Sequence, residues 1–265
     1  MWQNLPLLGW CKEMVESVAK RVLLGLGFGG KKQRARELAN AIPEASDEDN
    51  RLLAVAARYS MANKFRLWAA LQAVQHVGRR QIPGDLVECG VWKGGNLILF
   101  ALMAKRLGLD RRVWGYDTFE GMSEPTAADV HYKTNVKAHA EWLSNQKEGG
   151  LNTWCYSPYE EVERNFRNEV GASQLTLVKG KVEDTLDQPA NVPEQIAILR
   201  LDTDWYESTK KELEVLYPRL QKGGVLLIDD YGVWSGARKA VDEYFAGNPV
   251  WLHRIDNSAR LHIKD

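Results

Sequence analysis

Two pairs of carboxylates are the residues of this chain best placed to do chemistry. Asp202 and Asp204 follow one apolar run, in Leu201-Asp202-Thr203-Asp204-Trp205-Tyr206, and Asp229 and Asp230 follow the next, in Ile228-Asp229-Asp230-Tyr231-Gly232. One strand–helix unit separates the pairs, so parallel strands would deliver all four acids to one edge of a sheet. Carboxylates gathered in this way stay ionised at neutral pH only if a cation or strong donors compensate. An all-oxygen donor set points to Mg²⁺, Mn²⁺ or Ca²⁺ and away from zinc. The string from Asp202 is superficially like a calcium loop, but Glu207 stands where that loop needs glycine. For each acid alone, the ordinary alternative is capping the helix that follows.

A second motif, Val87-Glu88-Cys89-Gly90-Val91-Trp92-Lys93-Gly94-Gly95-Asn96, sits where a strand gives way to a helix. Its spacing is neither a dinucleotide fingerprint nor a P-loop. Gly90 and Gly94 would let the backbone approach a ligand, and Glu88 suits a ligand with an ammonium or sulfonium group. The alternative is a plain tight turn with a solvated acid. In Gly115-Tyr116-Asp117-Thr118-Phe119, Asp117 ends the next strand. Doubly wound folds hold ribose hydroxyls there, because one carboxylate can accept from two vicinal hydroxyls. Capping of a helix is its other use. Gly25 to Gly30 matches G-x-G-x-x-G letter for letter, yet it follows an amphipathic helical pattern and not a strand, so it is not read as a nucleotide site. The basic run Lys31, Lys32, Arg34 and Arg36 lacks the interleaved aromatic residues of a nucleic-acid surface.

The elements that must position these residues are short apolar runs at 86–89, 113–116, 175–178, 196–201 and 225–228, of the length and character of buried parallel strands. Helical spacing is predicted between them over 96–107 and 207–220, and before them over 63–77. The fold class is therefore α/β, a doubly wound Rossmann-like sheet. Runs at 250–255 and 260–263 flank Asp256-Asn257-Ser258 and predict a closing antiparallel hairpin. Residues 119–166 are too long for a plain crossover and read as a lid insertion. Residues 1–50 read as an N-terminal helical extension before a domain spanning 51–265, and the apolar face of 1–30 as a contact to a second copy of the chain.

The chain has 265 residues, 35 basic against 35 acidic, 45% hydrophobic. That balance gives no bulk field for a nucleic acid. Three scattered cysteines exclude a disulfide scaffold, and no apolar run spans a bilayer or begins as a secretory signal. A cytoplasmic protein is expected.

Together, V-E-C-G-V-W-K-G-G, Y-D-T-F-E-G-M, L-D-T-D-W-Y-E-S-T and I-D-D-Y make residues 60–245 resemble the macrocin O-methyltransferase family. The resemblance implies a class I methyltransferase fold, S-adenosylmethionine and Mg²⁺ (or Mn²⁺) as cofactors, and a sugar hydroxyl on a glycoside as acceptor. It makes Asp202, Asp229 and Asp230 the metal ligands and Asp204 a general base, with Asp202 beside it at the reacting centre. It places the cofactor at Glu88, Gly90, Gly94, Asn96, Asp117 and Thr118, with Ser60 and Met61 over its methionine end and Val182 and Glu183 flanking its adenine. A catechol or other vicinal diol would need the same three metal acids. A metal-dependent hydrolase would leave Glu88 and Asp117 without a role, and a non-catalytic interaction protein would rest on the apolar N-terminus alone.

Overall fold

The structure, a computed structural model, describes residues 42–171 and 174–265. The sequence readings that fall on 1–41, including the proposed contact to a second copy, the glycine decoy and the basic run, lie outside the described residues. Strands β1 (Asp85–Cys89), β2 (Val113–Asp117), β3 (Leu175–Lys179), β4 (Ile196–Leu201), β5 (Leu220–Ile228), β6 (His253–Arg254) and β7 (Arg260–Ile263) form one sheet in the order β3-β2-β1-β4-β5-β7-β6. The first five are parallel, and β7 runs antiparallel between β5 and β6. Alternate side chains of the strands feed two cores. Leu86, Ile198 and Leu227 face the first, with Val87, Leu199 and Leu226 facing the second.

On one face lie α1 (Asp47–Ala56), α2 (Lys64–Arg79), α3 (Gly95–Arg106) and the crossover helix α5 (Tyr159–Val170). On the other lie the short α6 (Val182–Thr185), α7 (Tyr206–Val215) and α8 (Ser235–Phe245). The helix starts have local causes. Ser46 and Asp49 form a reciprocal capping box on α1, and the Asn63 side chain accepts from the backbone N–H groups of Phe65 and Arg66 at the head of α2. α1 straddles residues 50 and 51, where the sequence placed a domain boundary, and its Leu53 and Ala56 are fully buried.

Several predicted spans differ from the sequence reading, the strand of 225–228 starting at Leu220 and the run of 250–255 holding only the short β6. The helix predicted over 207–220 ends at Val215. Pro218 restricts the residue before it, a 3₁₀ turn covers Tyr217–Arg219, and Leu220 opens β5, paired with Ile196. The insertion after β2 contains a short helix α4 (Ala138–Asn145), and residues 159–166 of the predicted lid belong to α5, which packs on α3. Within the insertion Asp129 is completely buried and accepts the Tyr206 N–H at 2.8 Å. It caps α7 from a distance, since Trp205, the residue at that helix's own cap position, supplies no side-chain hydrogen bond. Among the described residues no helix is long and apolar enough to cross a membrane.

Candidate active site

The chain order turns outward from β1 in one direction and from β4 in the other, so the crevice of the fold opens over the carboxyl ends of these two neighbours. Gly90 follows β1 and Asp202 follows β4, and the two loops touch. The Asp202 N–H donates to the Cys89 carbonyl at 2.9 Å, and Gly90 has φ +79° with its Cα against the Asp202 carbonyl. A Cβ at Gly90 would collide with that oxygen. The glycine is needed here for loop-to-loop packing, where the sequence suggested only close approach to a ligand.

A cleft open to solvent lies above this contact. Of the residues expected at the cofactor, Met61, Gly90, Asp117, Thr118, Val182 and Glu183 line it, as do Asp202 and Asp204. Ser60, Glu88, Gly94 and Asn96 do not line it. Ser60 is 8% exposed and accepts from the Ala62 N–H, and Gly94 opens α3 in the left-handed conformation. Trp92, Lys181, Ser123 and Cys155 join the lining and were not singled out in the sequence. Ser123 and Cys155 come from the insertion, whose path over the sheet no periodicity discloses.

Asp117 ties the first two strand ends together. One of its oxygens accepts from the Val91 and Trp92 N–H groups at 2.8 and 3.1 Å, the other from Phe119 at 2.8 Å. Burial nonetheless raises its pKa against these donors. It caps no helix, because the chain continues into the insertion.

Glu88 is 1% exposed. Its Oε1 accepts from Asn96 at 3.0 Å and from Arg200 at 2.8 Å, so it is an internal acid and not the solvated one of the alternative reading. Burial, against the pull of Arg200, pushes its pKa up to about 7. Its Oε2 and the Asn96 Oδ1 are buried acceptors without a hydrogen-bond partner at the head of α3. Two such acceptors beside a glycine loop fit the ammonium end of an amino-acid-like cofactor.

Asp202, Asp229 and Asp230 each offer an oxygen within 4.8 Å of the others. Burial first, then Asp229 and Asp230, raise Asp202 well above the usual carboxylate range. Burial, Asp204 and Asp229 do the same to Asp230. Three hard oxygen donors crowded in this way have the chemistry of a Mg²⁺ or Mn²⁺ site. Asp204 lies at the centre of a tight turn, with φ +68° and the Trp205 N–H donating to the Thr203 carbonyl at 2.8 Å. Its carboxyl is in hydrogen-bonding reach of Asp230 and Trp234, and burial followed by Asp202 pushes its pKa up to about 7. Trp234 belongs to an aromatic cluster with Trp205 and Trp154, ring centroids 5.1–6.2 Å apart.

The sequence reading passed over two arginines. Arg200, 3% exposed inside β4, reaches Glu88, Asp202 and Asp229, and Arg66 of α2 binds the second oxygen of Asp229 together with Asp256. The signal was a lone charge in the run Ile-Ala-Ile-Leu-Arg-Leu, which a buried strand tolerates only when paired.

The chain is 37% identical over 203 residues, 75% of its length and 73% of the relative's, to the 8-demethyl-8-(2,3-dimethoxy-alpha-L-rhamnosyl)-tetracenomycin-C 4'-O-methyltransferase of Streptomyces olivaceus. It is 35% identical over 198 residues, 71% and 68% of the two chains, to the demethyldecarbamoylnovobiocin O-methyltransferase of Streptomyces niveus. The solved structure of the O-methyltransferase NovP matches with a TM-score of 0.68 at 31% identity, over 88% of this chain and 97% of that one. The sequence pattern of macrocin-O-methyltransferase (TylF) matches residues 28–262, and on that match the chain belongs to the macrocin-O-methyltransferase family, as an S-adenosylmethionine-dependent O-methyltransferase.

Proposed function

We propose that this enzyme methylates a sugar hydroxyl of a natural-product glycoside and does so with a divalent cation held by Asp202, Asp229 and Asp230. The observation that carries the metal is the convergence of those three carboxylates within 4.8 Å beside the cleft. What supports the sugar is the company of the chain, since the tetracenomycin relative is named for methylating a rhamnosylated acceptor.

A Mg²⁺ or Mn²⁺ ion supplies Lewis acidity that makes a hydroxyl easier to deprotonate. S-adenosylmethionine supplies the methyl group as a sulfonium. The protein does the rest. Asp117 lines the cleft where a ribose would lie, and Val182 and Glu183 stand at the end proposed for adenine. Met61 sits at the mouth, 56% exposed. Asp204, which lines the cleft from the tight turn next to Asp202, accepts the hydroxyl proton as the general base. The insertion contributes Ser123 and Cys155 to the wall and narrows access of water.

Transfer of a labelled methyl group to a panel of glycosides and catechols, with and without Mg²⁺, tests this reading. Turnover on glycosides that stops in EDTA is expected. Undiminished turnover in EDTA overturns the metal, and transfer to catechols alone overturns the sugar. The apolar stretch in residues 1–30 is read, on sequence alone, as a contact to a second copy. Solution mass before and after its deletion tests that, and a monomer in both cases refutes it.

A further inference from the structure

Arg200 is a full charge inside the central strand of the sheet, 3% exposed, with carboxylates on three sides. Its Nη1 donates to Glu88 Oε1 at 2.8 Å and to Asp202 Oδ2 at 2.6 Å, and its Nη2 donates to Asp229 Oδ1 at 2.5 Å. Glu88 is its register partner on β1, while Asp202 and Asp229 follow the ends of β4 and β5. One planar group therefore touches the acid near the end of β1 and two of the three acids of the triad. We propose that Arg200 is a positioning residue: its guanidinium fixes the spacing of Asp202 and Asp229 and ties them to Glu88, so that the end of β1 and two acids of the metal triad are held in a single frame.

The proposal rests on the metal reading above and adds to it a physical requirement. Without a neighbouring cation, Asp202 and Asp229 would repel each other and turn apart, and a divalent ion would first have to gather them. A guanidinium is suited to prevent this, because its rigid fork holds two carboxylates at a set separation while each keeps lone pairs for another partner. An ammonium in its place keeps the charge and loses the fork. Arg66 secures the far side of the same acid by binding the other oxygen of Asp229. Its anchor in turn is Asp256, at 2.8 Å in the turn between β6 and β7. Asp229 is thus clamped from both edges before any ion arrives.

The Arg200→Lys variant separates charge from geometry. Calorimetric titration of wild-type protein and variant with Mg²⁺ alone, then with S-adenosylhomocysteine alone, is the experiment. The expected result is a dissociation constant for Mg²⁺ at least about tenfold weaker in the variant, the range found when outer partners of metal ligands are removed, with S-adenosylhomocysteine weakened as well. A folded variant whose Mg²⁺ affinity stays within twofold of wild type overturns the proposal. Should circular dichroism show the variant unfolded, the wild-type protein decides. The slowly exchanging guanidinium resonance of Arg200 must then shift on addition of Mg²⁺ alone and of S-adenosylhomocysteine alone, and a resonance that ignores bound Mg²⁺ overturns the proposal. Wild-type protein that takes up no Mg²⁺ overturns the metal reading and this inference together, whereas uptake with an unaltered variant overturns this inference alone.

Discussion

Gly90 lies directly beneath the carbonyl of Asp202, so the loop that follows the first strand and the loop that follows β4 are in contact with no room for a side chain between them. Gly90→Ala should therefore do double damage. The positive φ alone costs about 1–3 kcal/mol, and the collision with the Asp202 oxygen adds to it. Denaturant titration should show a loss of more than about 1 kcal/mol together with weaker Mg²⁺ binding. A variant as stable as wild type would contradict the contact.

Asp230→Asn and Asp229→Asn should both abolish metal-dependent turnover, by about 10²-fold or more, because several kcal/mol of charge stabilisation is lost with the ion. They should differ in stability. Asp229 also receives Arg66 and Arg200, so its replacement leaves two cations short of a partner and lowers the melting temperature more than Asp230→Asn does. Equal melting temperatures would count against the two-sided clamp.

Asp204→Asn keeps the shape of the turn, since asparagine tolerates the left-handed conformation. Turnover should fall by about 10²–10⁴-fold, the usual contribution of a general base, with Mg²⁺ affinity retained by calorimetry. Unchanged turnover would remove Asp204 from proton transfer.

Metal-free protein should lose stability as pH rises from about 5 to 8. Asp204 and Glu88, both pushed up to about 7, hold protons in the folded chain that the unfolded chain releases above about pH 4 to 5. The unfolded state binds fewer protons in that window, so the slope of stability with pH is negative there. Thermal melts without Mg²⁺ should fall between pH 5.5 and 7.5. Added Mg²⁺ should raise the melting temperature more at pH 7.5, because it favours the ionised acids. A stabilisation by Mg²⁺ that is larger at pH 5.5 would be the opposite of what the buried carboxylates require.

Asp117→Ala should weaken S-adenosylhomocysteine binding and also stability, since three backbone N–H groups at 91, 92 and 119 lose their acceptor. A change in affinity with no change in stability would show that those hydrogen bonds are dispensable.

Much of this was legible in the sequence because strand ends leave marks. The apolar runs marked the five parallel strands and the C-terminal hairpin, and the acids after them marked the carboxyl edge of the sheet, where ligands bind in this architecture. What escaped depended on contacts between distant segments. That Glu88 is paired inside the protein shows only once Arg200 is found 112 positions away in the neighbouring strand. Gly90 lines the cleft as a ligand-facing glycine would, but the demand for glycine there comes from the Asp202 carbonyl packed against it. The end of α7 was missed for a local reason, because Leu216 and Tyr217 continue the apolar spacing up to Pro218 while the proline forbids the next turn.

The buried carboxylate of Asp129 has a consequence for how such enzymes diversify. It belongs to the insertion, yet it completes the start of the helix behind the loop of Asp202 and Asp204, and Gly236 at the head of α8 leaves just enough space for it. The insertion is therefore not an exchangeable cassette. A chimera that borrows this segment from a relative to change acceptor range inherits the host's loop of Asp202 and Asp204 in its native form only if the borrowed segment carries an acid at that place, and the host keeps a glycine to receive it.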